Sequence, residues 1–162
     1  MKLHYWPSAA LRETGEALDV TVDHSEVVQQ MTELMKDQRG IGLAATQCGI
    51  RKRLFVIDTN PGSQYAFRGA FGNPVIVQGR GEVRSVEGCL SFPGVMLPVK
   101  RHEEVQVQYW DPIEDKYHER TLTGLSSVVF QHELDHLNAT VFIDHVGKMR
   151  RRMALEKMRK AQ

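Results

Sequence analysis

Two cysteines in 162 residues cannot build a disulfide framework: Cys48 and Cys89 allow one bridge at most, and nothing secretory accompanies them. Each is either a core thiol or a chemical group. Long apolar runs are missing as well. The stretch after Lys2 stays mixed up to Arg12 and Glu13, which excludes a signal peptide or membrane span and sets the expectation of a cytoplasmic protein. Neither sign of charge dominates, because 21 Lys and Arg face 20 Asp and Glu. A net charge of +1 argues against a chain that coats DNA along its whole surface. Repeats and low-complexity tracts are absent, and the length fits one domain, 1–162.

What is present is uneven. The segment 147–162 holds seven basic residues and one acid, so it carries +6 while the preceding 146 residues carry −5. Residues 1–22 read as an irregular arm with a short turn near Ser8 to Leu11. Asp23, with Glu26 three residues on, forms a capping-box pattern before a helical face of Val27, Val28, Met31, Leu34 and Met35 that ends near Gly40. Leu54 to Ile57 and Val75 to Val77 read as short apolar strands, and Val105, Val107 and Tyr109 alternate as in a half-buried strand. From Thr123 to Asn138 the spacing is helical again. A basic helix over about Lys148 to Lys160 carries charge on all sides. The order predicts an α+β fold, with mostly antiparallel sheets packed around the helix at 123–138 and a C-terminal helix.

That central helix contains His132-Glu133-Leu134-Asp135-His136. Residues four apart project from one face, so both imidazoles can share one ion while Glu133 stands beside them to hold a water. The alternative is a solvated helix face. A catalytic centre usually takes three protein ligands, and the candidates for the third differ in quality. The position ten residues after His132 is Phe142; Glu156 lies in the basic tail; His145 reads as a surface residue. Cys89, within Glu87-Gly88-Cys89-Leu90-Ser91, is the better candidate, its alternative being a buried core thiol. A third segment, Gly40-Ile41-Gly42-Leu43-Ala44-Ala45-Thr46-Gln47, offers a small-residue backbone that another chain can approach, or an ordinary helix end.

The three segments GIGLAATQ, EGCLS and QHELDH, in this order and spacing, resemble the signature motifs of peptide deformylase. The resemblance implies removal of the formyl group from the N-terminal methionine of nascent proteins, with release of formate. It implies Cys89, His132 and His136 as ligands of one divalent ion, Fe(II) in most members, with Zn(II), Ni(II) or Co(II) able to replace it. It further implies Glu133 as general base, Gln47 and the Leu90 N–H as donors to the developing oxyanion, and Glu87 with Arg101 as a supporting ion pair. Val128 and Val129 lie one turn before His132 and Glu133, and with Leu125 and Ile41 could form a methionine pocket. Gly42 and the Gly88 region could pair with the substrate backbone like a strand. Met96, Ala139, Ser126, Ser127 and Cys48 depart from the family pattern, Met96 at a position where many members carry Arg, and Cys48 reads as a small core residue. The basic tail suits ribosome contact through RNA. Two other functions fit parts of the chain: a zinc peptidase using Glu156 as third ligand, and a non-catalytic ribosome-associated relative.

Overall fold

Leu54, Phe55, Val56, Ile57 and Asp58 are all buried, which requires cover on both faces of one strand. In the computed structural model, which describes residues 1–60, 62–64 and 66–161, this strand is β2 (Leu54–Asp58). It runs between β1 (Gly42–Ala44) and β3 (Arg68–Arg80). With β6 (Glu104–Asp111) and β7 (Lys116–Thr123) they form an antiparallel sheet ordered β1-β2-β3-β6-β7. Phe55 and Ile57 belong to the core shared with α2 (Gly124–Leu137), while Leu54 and Val56 belong to the core under α1 (Ser25–Asp37). Phe130 of α2 stands edge-on to Phe55 and Phe71, with ring centroids 5.1 and 5.7 Å apart. On the opposite face Met31 and Met35, one helical turn apart, pack with Leu43 and Ala70.

β4 (Val83–Gly88) and β5 (Met96–Arg101) form a separate two-stranded antiparallel ribbon. A third apolar cluster joins this ribbon to α3 (Lys148–Ala161) through Val95, Leu97, Phe142, Ala154 and Met158. The fold is α+β, with antiparallel sheets around the helix bearing His132 and His136, as the sequence pattern predicts. The charge around α3 conceals a narrow apolar stripe: Ala154 and Met158, four residues apart, are buried.

Three local expectations change. Asp23 accepts the Ser25 N–H at 2.8 Å, so its carboxylate stops the chain one residue before the helix cap, and Glu26 accepts from Gln30 one turn on instead of closing a capping box. The small-residue segment after Gly40 is β1 followed by a 3-10 turn (Ala45–Cys48), not a helix end. Val75 and Val77 sit in a much longer strand, yet 45% and 54% of their surface is exposed. Register shifts around Asn73–Pro74 and at Val77 turn them outward; Asn73 is pinned there by accepting from Leu18 N at 2.7 Å.

After α2 the chain turns at Ala139, whose φ of 57° lies in the left-handed region. An L side chain is strained there, and glycine is not. Ala139→Gly is expected to stabilise the protein by about 1 kcal/mol, measured as a higher urea midpoint at unchanged m-value; a lower midpoint would refute the strain.

Candidate active site

Because α2 is covered on nearly all sides, its polar residues are buried too, and three of them converge: His132, Glu133 and His136. The turn after β4 brings Cys89 to meet them. Its Sγ lies 3.3 Å from His136 Nε2, and the two imidazole rings are 5.1 Å apart. The ligand atoms of Cys89, His132 and His136 all fall within 4.8 Å of one another. Glu133 Oε2 and His136 Nδ1 are buried without a hydrogen-bond partner. A thiol and two imidazoles gathered beside a buried carboxylate oxygen that lacks a partner fit a divalent cation with a water next to it.

His132 is fixed from behind. His132 donates Nδ1–H to Glu87 Oε2 at 2.8 Å, which leaves its Nε2 for a cation. Arg101 closes a two-pronged bond on the same carboxylate, at 2.7 and 2.9 Å. Its remaining amine donates to Asp135 Oδ2 at 2.6 Å, and His145, on the surface, reaches that oxygen at 2.7 Å. Burial pushes the Glu87 and Asp135 carboxyls up, but their hydrogen bonds outweigh it and both stay below the ordinary range. Burial also opposes charge on His132, yet the Cys89 sulfur and Glu87 hold its proton well above the usual range. His136, buried and next to His132, moves well below it.

Gln47 is held at both ends of its amide. Its Oε1 accepts from Ala44 N at 2.9 Å; its Nε2 donates to Ser91 Oγ at 3.0 Å and lies 3.5 Å from Cys89 Sγ. The glycines before it are demanded by contact: a Cβ on Gly42 would strike the Glu133 carboxylate, and one on Gly40 would come 2.6 Å from Leu90 Cδ1. A cavity of about 560 Å³ opens over His132 and Glu133. Ile41, Gly42, Gly88, Leu125, Val128 and Val129 line it, together with Gln47, Glu87, Cys89 and Leu90. Arg101 stays behind the wall, and Glu156 stands away on α3 with Arg152. Phe142 packs its ring 5.9 Å from that of His132. Cys48 is partly buried and burial raises its thiol to about 11, an inert group.

A profile of the family described as Polypeptide deformylase matches residues 1–152. The chain belongs to the peptide deformylase family. The peptide deformylase of Aquifex aeolicus is 38% identical over 161 residues, covering 96% of this chain and 92% of the relative. The deformylase structure from Legionella pneumophila superimposes with a TM-score of 0.91 at 36% identity, over 98% of this chain and 93% of the other. That of Synechococcus elongatus, solved with actinonin, gives 0.90 at 36% identity over 97% and 86%. Peptide deformylases are metal-dependent hydrolases that remove the formyl group from the N-terminal methionine of nascent proteins. No described helix is long and apolar enough to cross a membrane.

Sequence reasoning missed Asp135 and Ser91. Asp135 occupies a place that the His-Glu-x-x-His pattern leaves unspecified, and its partner Arg101 is 34 residues away. Ser91 adjoins the cysteine and carried no charge to draw notice.

Burial, with Glu87 and Asp135 nearby, raises the Glu133 carboxyl from 4.5 to about 7 in the metal-free protein. A folded pKa above the unfolded one makes ionisation cost stability; the cost is absent below the unfolded pKa and grows until the folded one is passed. Glu133→Gln is expected to stabilise the chelator-treated protein about 3 kcal/mol more at pH 8 than at pH 4. Urea denaturation at the two pH values tests this, and an equal effect at both would refute it.

Proposed function

We propose that this chain, as one catalytic domain over 1–162, hydrolyses the formamide of N-formylmethionyl chains, using Cys89, His132 and His136 to hold one divalent ion. The observation that carries the reading is a buried carboxylate beside a Cys-His-His trio at the floor of an apolar cavity. Fe(II) is the native ion in this reading, and Zn(II), Ni(II) or Co(II) suit the same mixed thiolate and imidazole set. When bound, the ion lowers the pKa of a water toward about 7 and polarises the formyl carbonyl.

The remaining steps belong to side chains and backbone. Glu133 takes the proton released as the water oxygen attacks the formyl carbon, then returns it to the departing amine. Gln47 Nε2 and the Leu90 N–H donate to the formyl oxygen as charge builds on it. Glu87, held by Arg101, keeps His132 oriented. Val128, Val129, Leu125 and Ile41 take the methionine side chain. Among the described residues β1 has β2 as its only strand partner and β4 has β5, so each presents an edge with no strand beside it at the cavity. An extended peptide entering as a strand satisfies both edges and is read through its backbone, with little dependence on its side chains.

Formate release from formyl-Met-Ala-Ser is expected after anaerobic purification, with about one metal per chain. Cys89→Ala is expected to lose metal and activity, whereas Glu156→Ala keeps both; the opposite pattern would establish the peptidase alternative. Glu133→Ala is expected to keep metal and lose about 10²–10⁴-fold in turnover. Full turnover in that variant would remove Glu133 from the mechanism.

We also place the protein in the cytoplasm, in contact with the ribosome. Lys148, Arg152 and Arg159 share an exposed face of α3 away from its buried stripe, with Arg152 also meeting Glu156, a cationic row suited to RNA phosphates. Deleting the helix is a poor test because Ala154 and Met158 are core residues. Reversing these three charges to Glu is expected to abolish salt-sensitive co-sedimentation with ribosomes; unchanged co-sedimentation would exclude this face.

A further inference from the structure

The rim of the cavity is formed by exposed apolar residues, Ile41, Val86, Met96 and Leu125. Two grooves lead away from it. One continues past Leu125 between Arg80, Arg84, Glu103 and Glu104; its charges are of both signs, and Arg80 is 3.8 Å from Glu104, so it selects no charge. The other lies between β5 and α3, has a volume of about 340 Å³, and shares Val95 and Met96 with the cavity itself. Its remaining lining is Leu97, Ala154 and Met153, with Arg150 and Lys157 as its only charged groups. On α3 the ion pairs are taken by Arg151 with Asp144 and Arg152 with Glu156. Arg150 and Lys157 therefore remain uncommitted among the described residues.

Helical geometry sets this groove apart from the RNA-facing row. Arg150, Met153, Ala154 and Lys157 recur at steps of three and four, on the side opposite Lys148, Arg152 and Arg159. Met96 lies opposite Gly88 in the ribbon, at the cavity wall, and 61% of its surface is exposed, as is 61% of Met153. Two flexible thioethers on an apolar floor accommodate varied side chains. The seven-residue separation of the two cations is about 10 Å along the helix, the length of about three extended residues.

We propose that the groove between β5 and α3 is a distal substrate site: it receives the part of the peptide that follows the residues seated between β1 and β4, and favours acidic side chains there. This rests on the deformylase reading. Continuity with the cavity through Val95 and Met96 selects the substrate chain as occupant, and the two uncommitted cations select its charge.

The test compares kcat/KM for formyl-Met-Ala-Ser with two nonapeptides that extend it by Asp-rich or Lys-rich sequence. The Asp-rich peptide is expected to exceed the Lys-rich one about tenfold at low salt, with the gap closing in 0.5 M salt. In Arg150→Glu/Lys157→Glu the ratio, normalised to the tripeptide, is expected to invert. Fluorescence anisotropy of the same peptides without formyl groups, on metal-free protein, should show the same order. Thermal melting checks that the double variant is folded, and the single charge-neutral Lys157→Gln, expected to lower the ratio about threefold, provides a milder variant. A ratio near one, or one unchanged by the reversal, overturns the groove while tripeptide turnover upholds the deformylase reading. Loss of ribosome affinity with an unchanged peptide ratio assigns the two cations to RNA and also overturns it. No formate from the tripeptide with any of the four metals overturns both readings together.

Discussion

Arg101 is a buried cation between two carboxylates, and the geometry of the site depends on that triad. The β4–β5 ribbon shares no backbone ladder with the main sheet, so its position relative to α2 must come from side chains. Apolar packing around Phe92, Val99 and Phe142 supplies attraction but little direction. Two bonds that cross from ribbon to helix supply the direction, Arg101 of β5 to Asp135 and His132 to Glu87 of β4, while the two-pronged Arg101–Glu87 pair locks the ribbon strands to each other. Without the guanidinium, the two carboxylates would keep one histidine partner each and lose the cation they share, which costs more at a buried site than at an exposed one. Glu87 also accepts a hydrogen bond from His132 Nδ1–H, so the placement of a whole ribbon and the orientation of one imidazole depend on the same carboxylate.

Much of this was legible in the sequence where structure is local. The Val105, Val107 and Tyr109 alternation marks a strand with one covered face, and the four-residue step from His132 to His136 marks a shared helix face. β4, β5 and β7 escaped notice because β4 and β7 are largely polar and exposed and β5 is short and interrupted by Pro98, although each pairs with its neighbour in the chain. Cys89 lies 43 residues from His132, and a thiol carries no periodicity, so geometry alone could only nominate it. The small-residue run at 40–47 read equally well as a helix end, since nothing in it says that Gly42 must lie under a carboxylate. The stripe on α3 was hidden for a different reason: two buried positions among seven cations hardly move the average of the helix.

The central helix shows how a buried element can remain polar. Ser127 donates to the His102 carbonyl at 3.0 Å, and Gln131 grips the same residue twice, accepting its N–H at 3.0 Å and donating to its carbonyl at 2.9 Å. These bonds tie α2 to the turn between β5 and β6 and satisfy groups that water cannot reach. One face of the helix thus secures the scaffold and the next presents the chemistry, on a backbone too tightly packed to shift.

The unpaired edges of β1 and β4 carry a consequence in time. In the binding mode proposed above, a cleft bordered by two strand edges accepts only a segment that is itself extended and has free backbone donors and acceptors. Once the beginning of a new protein has coiled into a helix or joined a sheet of its own, those groups are taken and the formyl group is out of reach. The clock for this reaction is therefore set by the client's folding: the modification must be removed while the first residues are still unstructured, and slow-folding amino termini leave the longest opportunity.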